Sequence, residues 1–297
     1  MELLDGKFAS AKLKASIKQE VAAWVSGGGK VPHLAAVLVG EDGASKTYVE
    51  SKVRSCKEVG FKSSLITLDH NASEEELVKV IEQLNEDKDV DGFIVQLPLP
   101  KHLNEEKITT LIKPEKDVDG FHPVNVGRMA LGQPSYISAT PYGILQMLEM
   151  YDIKTTGKHC VVVGRSNIVG SPMSILMAKN APHANCTVTL CHSRTEDLKA
   201  YTQSADILIV ALGKPGFVKA DMVKEGAVVI DVGITRVEDA SRTRGYRVVG
   251  DVDFDSVAQK TSYITPVPGG VGLMTVASLI KNTLLAAKGE IYQAAMN

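Results

Sequence analysis

The sequence lacks a long hydrophobic run and a strong excess of charge of either sign. Its apolar runs, such as residues 205–212, are far too short to cross a bilayer, and the first residues contain no hydrophobic signal core. The formal net charge of −2 provides no basic surface suited to nucleic acids or anionic membranes. We therefore expect a cytoplasmic protein that binds neither nucleic acid nor membrane.

The sequence also lacks closely spaced cysteines. Its four cysteines, at positions 56, 160, 186 and 191, form no CxxC motif and no zinc-like pattern. Cys160 and Cys186 lie in strand-like runs, where small buried thiols are common. We predict reduced cysteines without structural disulfides. Asp117 and Asp119 share a glycine-bounded loop, but two carboxylates without a His–Cys cluster are a weak metal signal, so we predict no metal site.

Strand-like runs alternate with helical patterns along the 297 residues, which indicates an α/β fold with parallel sheets. Hydrophobic residues make up 44% of the chain and charged residues 23%, enough to build a real core in one large domain or two ordinary ones. The predicted strands are residues 33–39, 63–68, 92–97, 158–163, 187–191, 207–211 and 227–232.

Helical patterns separate these strands. One covers residues 45–59, and another covers 73–84, opened by the capping box Ser73–Glu76. We predict a catalytic domain at residues 1–140 together with 275–297, and a dinucleotide-binding domain at 141–274. A final helix, at residues 275–287, is expected to pack back on the first domain, and a cleft between two such domains is a favoured ligand site.

The second half carries a dinucleotide signal, in which an apolar run leads through Gly164, Arg165 and Ser166 to a helical pattern at Gly170. Gly164 would make the turn, Gly170 would allow the helix to pack closely on the strand, and the helix N-terminus would face the pyrophosphate. Ser166 stands where the usual GxGxxG motif has its second glycine. A plain strand-to-helix turn is the alternative interpretation.

The end of the next strand favours NADP over NAD. An NAD site usually has an acidic residue there to hold the ribose 2′-hydroxyl, but residues 191–195 contain none. Ser193 and Arg194, with Arg165, offer donors suited to a 2′-phosphate. The alternative is that either arginine is a solvated surface residue.

The first half carries the catalytic candidates. Tyr48 and Lys52 lie four residues apart on one face of a predicted helix, beside a buried stripe. Gln96 lies near a strand end, where ligands bind in open α/β sheets. Asp119 offers one carboxylate to a flat heterocycle rich in N–H groups. The alternatives are a surface lysine beside a half-buried tyrosine and, for His122, a structural role.

A segment rich in proline and glycine precedes the final helix. Proline fixes φ, and glycine lets backbone approach a ligand closely, so Pro268, Gly269, Gly270 and Gly272 are expected to form a ligand-facing loop. Thr275 is interpreted as the N-cap of the final helix. A tight structural turn is the alternative.

Taken together, these segments closely resemble the bifunctional methylenetetrahydrofolate dehydrogenase–cyclohydrolase family, in the family's order and over nearly the whole chain. The matching segments are residues 48–52, 95–100, 116–120, 140–143, 164–170, 231–233, 250–254 and 266–275. The resemblance implies oxidation of 5,10-methylenetetrahydrofolate with NADP, followed by hydrolysis to 10-formyltetrahydrofolate. It also implies a Rossmann-like NADP domain and a homodimer formed through it.

The resemblance assigns roles to individual residues. Lys52 matches the catalytic lysine, Tyr48 the tyrosine that stacks on the pterin, and Gln96 the glutamine that orients the lysine. Asp119 matches the aspartate that grips the pterin N–H groups. The loop 268–272 matches a folate-lining segment, which we expect to close the cleft. Gly233 and Ile234 match the cofactor site.

Two positions depart from the family pattern. Ala139 replaces a frequent cysteine and Leu273 a frequent proline, so Leu273 puts the stiffness of the folate loop in doubt. Three alternative functions stay open. They are a monofunctional dehydrogenase, a non-catalytic regulatory module that binds NADP, and an unrelated NADP-dependent reductase of a small carbonyl compound.

Overall fold

The structure is a computed structural model that describes residues 1–40, 43–243 and 245–292, apart from the side chain of Ala44. It divides into two compact units. The first comprises Met1–Ser10 with Thr140–Thr275, and the second comprises Ala11–Ala139 with Val276–Asn297. Each unit is built around a parallel sheet, so the predicted α/β fold with two domains is confirmed.

The described residues form eleven strands and ten α-helices, with a short 3₁₀ helix at Ala220–Met222. In chain order they are β1 (Glu2–Leu3), α1 (Gly6–Ser26), β2 (His33–Val39), α2 (Gly43–Val59), β3 (Lys62–Leu68), α3 (Glu74–Glu86), β4 (Gly92–Val95), α4 (Glu105–Leu111), α5 (Pro123–Leu131), α6 (Ala139–Met150), β5 (His159–Val163), α7 (Gly170–Ala178), β6 (Thr187–Cys191), α8 (Leu198–Ser204), β7 (Ile207–Val210), β8 (Val228–Asp231), β9 (Thr235–Glu238), β10 (Tyr246–Val249), α9 (Phe254–Ala258), β11 (Tyr263–Ile264) and α10 (Val271–Ala287).

The second unit is a three-layer sandwich around the parallel sheet β3-β2-β4. Every residue of β2 is buried because this strand lies in the middle of the sheet and both of its faces are covered. Leu34 and Leu38 pack on one side with α1, α2 and α10. Ala35 and Val39 pack on the other side with α3 and α4. The prediction that the last helix packs back on the N-terminal domain is therefore confirmed.

Local sequence signals fixed several element boundaries in this unit. The strand β2 has the predicted bounds. The strand β4 begins where predicted but ends at Val95, two residues before the predicted end, so Gln96 is the first residue beyond it. The predicted capping box is present at α3. The Ser73 hydroxyl accepts from Glu76 N, and the Glu76 carboxylate accepts from Ser73 N.

The first unit contains a six-stranded parallel sheet in the order β1-β11-β8-β7-β5-β6. The chain leaves β5 for β6 on one side and then continues at β7 on the other side, which makes the carboxyl ends of β5 and β7 a topological switch point. An antiparallel hairpin of β9 and β10 stands apart from the sheet. The Rossmann-like prediction for this unit is confirmed.

The predicted start of the last helix was wrong. We interpreted Thr275 as the N-cap of the last helix, but α10 begins four residues earlier, at Val271. The Thr275 hydroxyl donates to Val271 O at 3.2 Å, as an intrahelical residue does, and it shares a 2.9 Å hydrogen bond with the Thr140 hydroxyl. Gly270 is the last residue of the loop, and Gly272 already lies within the helix.

All four cysteines are buried, and none of them forms a disulfide in the structure. Within the described ranges, none of the helices combines the length and apolar character that crossing a membrane would need.

Candidate functional site

Lys52 lies on α2 with its side chain almost out of solvent. It is 8% exposed, and its ammonium Nζ donates to Gln96 Oε1 at 3.0 Å. Tyr48 and Cys56 lie one helical turn before and after it, so all three share one face of α2. Tyr48 is half-buried and Cys56 is fully buried.

Gln96 is held so that its oxygen faces the lysine. Its backbone N–H donates to Val37 O at 2.9 Å, which continues the pairing of β4 with β2 by one residue. Its side-chain Nε2 donates to Leu97 O at 2.6 Å, and this bond fixes which way the amide points. The Oε1 atom is therefore left to accept from Lys52.

Burial governs the charges around Lys52. Burial lowers the pKa of the Lys52 ammonium, and the neighbouring Asp119 charge partly offsets this. Burial raises the pKa of the Asp119 carboxyl, and the Lys52 charge partly offsets that shift. Burial also raises the pKa of the Cys56 thiol to about 12, so this cysteine is no thiolate partner for the lysine. Lys52 and Asp119 are thus coupled electrostatically, because the charge on each lowers the free-energy cost of charging the other.

The Asp119 carboxylate makes no hydrogen bond to any residue that the structure describes, although its loop is held firmly. The buried Asp117 carboxylate accepts from Phe121 N at 3.3 Å, His122 N at 2.8 Å and Asn125 Nδ2 at 2.9 Å. Burial raises the pKa of Asp117 to about 7. Asp117 therefore shapes the loop, and Asp119 presents a carboxylate available to a ligand.

A second support for this loop comes from the last helix. Asn282 on α10 is 1% exposed, and its Nδ2 donates to Val118 O at 2.8 Å and to Ile137 O at 2.9 Å. The sequence reasoning missed Asn282 and gave Asp117 no structural role. The available signal was a lone amide within the apolar pattern of α10, which needs a partner when it is buried.

His122 has the structural role considered above, because its Nδ1 caps α5 by accepting from Val124 N.

The dinucleotide motif in the first unit has the predicted shape. Gly164 follows β5 with φ of +119°, and a Cβ there would collide with Ala211 O. A Cβ on Gly170, the first residue of α7, would collide with Gly164 O. The backbone cradle therefore exists only because both residues are glycine, and the N-terminus of α7 opens beside it. These features fit a dinucleotide pyrophosphate.

The polar candidates around this cradle are exposed. Arg165 and Ser166 lie in the turn, where the Ser166 hydroxyl also accepts from Val169 N at 3.2 Å. Ser193 and Arg194 follow β6, in a turn closed by a 2.9 Å bond from His192 N to the Thr195 hydroxyl. Exposed donors at the carboxyl end of β6 are in the place expected for a ribose phosphate.

The other predicted residues of this unit lie in two segments. Gly233 follows β8, is buried, and donates its N–H to Asp231 Oδ1 at 2.9 Å, whereas the neighbouring Ile234 is 45% exposed. Pro268, Gly269 and Gly270 form the loop before α10, as predicted, and Gly270 packs so closely on Gly6 that a Cβ on Gly6 would collide with Gly270 O.

Three other residues singled out in the sequence also have definite positions. Gly272 lies in the first turn of α10 rather than in the loop. The two departures from the family pattern differ in exposure, since Leu273 is 37% exposed and Ala139 is buried.

Comparison with known proteins gives the family. The model for the tetrahydrofolate dehydrogenase/cyclohydrolase catalytic domain matches residues 4–119, and the model for the corresponding NAD(P)-binding domain matches residues 138–291. The chain belongs to the tetrahydrofolate dehydrogenase/cyclohydrolase family. The resemblance predicted from the motifs is confirmed.

Family members match this chain over nearly its whole length. The bifunctional protein FolD of Cytophaga hutchinsonii is 62% identical over 287 residues, which are 97% of this chain and 99% of the relative. A crystal structure of the bifunctional FolD enzyme from Campylobacter jejuni has a TM-score of 0.91 and 46% identity, over 98% of this chain and 99% of that chain. The Trypanosoma brucei FolD structure, complexed with NADP cofactor and inhibitor, has a TM-score of 0.91 and 37% identity, over 97% of each chain.

Proposed function

We propose that the protein oxidises 5,10-methylenetetrahydrofolate to the methenyl form with NADP⁺ and hydrolyses that product to 10-formyltetrahydrofolate. The observation that carries the proposal is the hydrogen bond from the buried Lys52 to Gln96, with Asp119 coupled to the same lysine, in a chain of this family. A purely dinucleotide-binding module would have no use for a buried amine held in this way.

The oxidation needs positioning more than acid–base help. The methylene carbon lies between two nitrogens whose lone pairs drive out a hydride and stabilise the resulting methenyl cation. The bound nicotinamide supplies the acceptor for that hydride. The contribution of the chain is to orient the folate, with Tyr48 against the pterin ring and Asp119 on its N–H groups.

The hydrolysis needs a base. Water adds to the amidinium-like methenyl carbon and loses a proton to the base. The bond from that carbon to one nitrogen then breaks, that nitrogen takes up the remaining hydroxyl proton, and the formyl group stays on the other nitrogen. Burial lowers the Lys52 pKa and so favours the neutral amine, which is the form that can take the proton that the attacking water loses. Gln96 holds the amine through its Oε1 atom.

Asp119 gives the site its selectivity. A carboxylate can accept two parallel hydrogen bonds from adjacent N–H groups of a pterin, and it rejects analogues that lack them. Burial raises the Asp119 pKa, and the Lys52 charge partly offsets that shift in favour of the ionised form, which is the form that accepts both bonds.

The cofactor proposed is NADP. Gly164 and Gly170 allow the pyrophosphate to approach the N-terminus of α7. Arg165, Ser193 and Arg194 are exposed donors that suit a 2′-phosphate, and no acidic residue lies between positions 191 and 195 to favour a free ribose hydroxyl.

The test follows the absorbance of the methenyl product with NADP and with NAD, and then detects 10-formyltetrahydrofolate. We expect methenyl formation that is faster with NADP, followed by formyl product. Absence of a methenyl signal with both cofactors would refute the proposed dehydrogenase. Methenyl formation without any acceleration of its hydrolysis would leave only a monofunctional enzyme.

We further propose a cytoplasmic homodimer associated through the first unit, as the family resemblance implies, which supplies one-carbon units for reactions such as purine synthesis. The four unpaired cysteines suit a reducing compartment. Sedimentation equilibrium should give twice the chain mass of 31.9 kDa, and a monomer at micromolar concentration would contradict the proposed assembly.

A further inference from the structure

Two buried carboxylates collect six backbone N–H groups at the carboxyl edge of the six-stranded sheet. Asp251, which is fully buried, accepts from Leu212 N at 2.5 Å, Gly213 N at 2.9 Å and Lys214 N at 2.6 Å. These three consecutive donors form the loop that follows β7. One side chain therefore sets the path of the whole loop.

Asp231, the last residue of β8, likewise accepts three backbone N–H groups, from residues 233, 251 and 252. Its carboxylate accepts from Gly233 N, Asp251 N and Val252 N, each at 2.9 Å. Burial, with the nearby Asp251 charge, raises the pKa of Asp231 to about 6. Within the described residues neither aspartate has an ion pair, so backbone N–H groups are what balance these charges.

The clamped loop that follows β7 borders the dinucleotide cradle. Strand β7 is the neighbour of β5 at the switch point, and Ala211, the residue before the clamped loop, closes against Gly164. Gly233, clamped by Asp231, begins the segment assigned above to the cofactor. Ligands of such sheets bind outside the strand ends at the switch point.

The conformation of the loop after β7 is set by its hydrogen bonds to Asp251 and not by steric crowding. Gly213 has φ of +66°, yet nothing lies within 4 Å of the place where its Cβ would be. Only the backbone direction demands glycine there, and the Asp251 carboxylate is the group that turns three successive N–H groups inward.

We propose that Asp251 is a positioning residue for the dinucleotide, which acts by holding the loop of residues 212–214 in the shape that borders the cofactor cradle. This inference rests on the proposed function. A carboxylate is required because its two oxygens accept all three bonds, whereas an asparagine would turn an NH₂ group against backbone N–H donors.

The two activities of the chain separate this role from simple stabilisation of the fold. Methenyl hydrolysis needs no dinucleotide, and the residues assigned to it lie in the other unit. A lost fold would reduce both activities, whereas a displaced cofactor loop would reduce only the dehydrogenase.

The experiment uses the full-length Asp251→Asn protein. We expect the Kd of NADPH, measured by its fluorescence in a titration, and the KM for NADP each to rise at least tenfold. Methenyl hydrolysis, assayed without cofactor, should stay within twofold of the unsubstituted protein. The matched control is Asp253→Asn, which removes the same charge from a partly exposed carboxylate that pairs with Lys219 at 3.3 Å and should leave all three values unchanged.

A second variant, Gly213→Ala, keeps Asp251 and strains only the loop backbone. The inference predicts the same selective loss of NADPH affinity. An NADPH Kd within twofold of normal in Asp251→Asn, or a parallel loss of hydrolysis in both variants, would overturn the inference. If the unsubstituted protein binds NADPH but forms no methenyl product, the proposed function fails while the titrations still decide the role of Asp251.

Discussion

Replacing Lys52 with methionine separates the chemistry of the proposed hydrolysis from the integrity of the fold. Methionine has nearly the same length and keeps the apolar stem, so the change removes the amine and little else. The Lys52 amine is the one base that the proposed hydrolysis uses. General acid–base assistance is worth about 10²–10⁴-fold in rate. We therefore expect kcat for methenyl hydrolysis to fall by about that factor, or about 3–5 kcal/mol in barrier height.

The structure limits how far lost stability could mimic this result. The substitution breaks one hydrogen bond and leaves Gln96 Oε1 without its donor, a cost of about 1–3 kcal/mol. Burying a methionine in place of a desolvated ammonium offsets part of that cost. We expect the free energy of unfolding in urea to drop by less than about 3 kcal/mol, which leaves the protein folded during the assay.

The assay compares Lys52→Met with Lys57→Met, which removes an exposed lysine from the same helix. Methenyl hydrolysis is followed by its absorbance, and NADPH affinity by fluorescence. We expect a selective loss of hydrolysis in the first variant and normal behaviour in the second. Unchanged hydrolysis in Lys52→Met would refute the reasoning, and so would an equal loss of NADPH affinity.

Three further predictions concern single groups. Burial lowers the Lys52 pKa, and the Asp119 charge opposes that shift, so Asp119→Asn should lower the Lys52 pKa further. The acid limb of kcat for hydrolysis should then move to lower pH, and a shift to higher pH would contradict the coupling. Arg194→Ala should weaken NADP binding about tenfold or more and NAD binding little, and equal losses would indicate a structural role. Ser73→Ala removes the capping box with Glu76 and should cost about 1 kcal/mol in urea unfolding, and no measurable loss would contradict that role.

Local patterns were enough to locate seven of the eleven described strands. Strand β2 is a continuous buried run because it lies in the middle of a sheet covered on both faces, and its bounds follow from hydrophobicity alone. The capping box of α3 follows from two residues three apart. The start of α10 could not be predicted in this way. Gly272 has the character of a loop residue and Thr275 that of an N-cap, but tertiary packing makes both of them helical.

In the candidate site, too, contacts between neighbours in the sequence were predictable and contacts between distant residues were not. Lys52 and Tyr48 were predictable because i and i+4 neighbours meet on a helix whatever the rest of the chain does. The hydrogen bond from Lys52 to Gln96 joins residues 44 positions apart, and the sequence indicated it only through family resemblance. Asn282 reaches Val118 across 164 positions, which no local pattern could reveal.

The missed residues share a physical role that explains why pattern reading overlooked them. Asp117, Asp251 and Asn282 are buried polar side chains whose partners are backbone groups of distant loops. Backbone donors and acceptors are the same for every residue type, so the partner leaves no mark in the sequence. The only trace is the cost of burying a polar group without a bond, which requires that some partner exist. A polar side chain that the fold buries is therefore the place to look for loop-positioning groups such as Asp251.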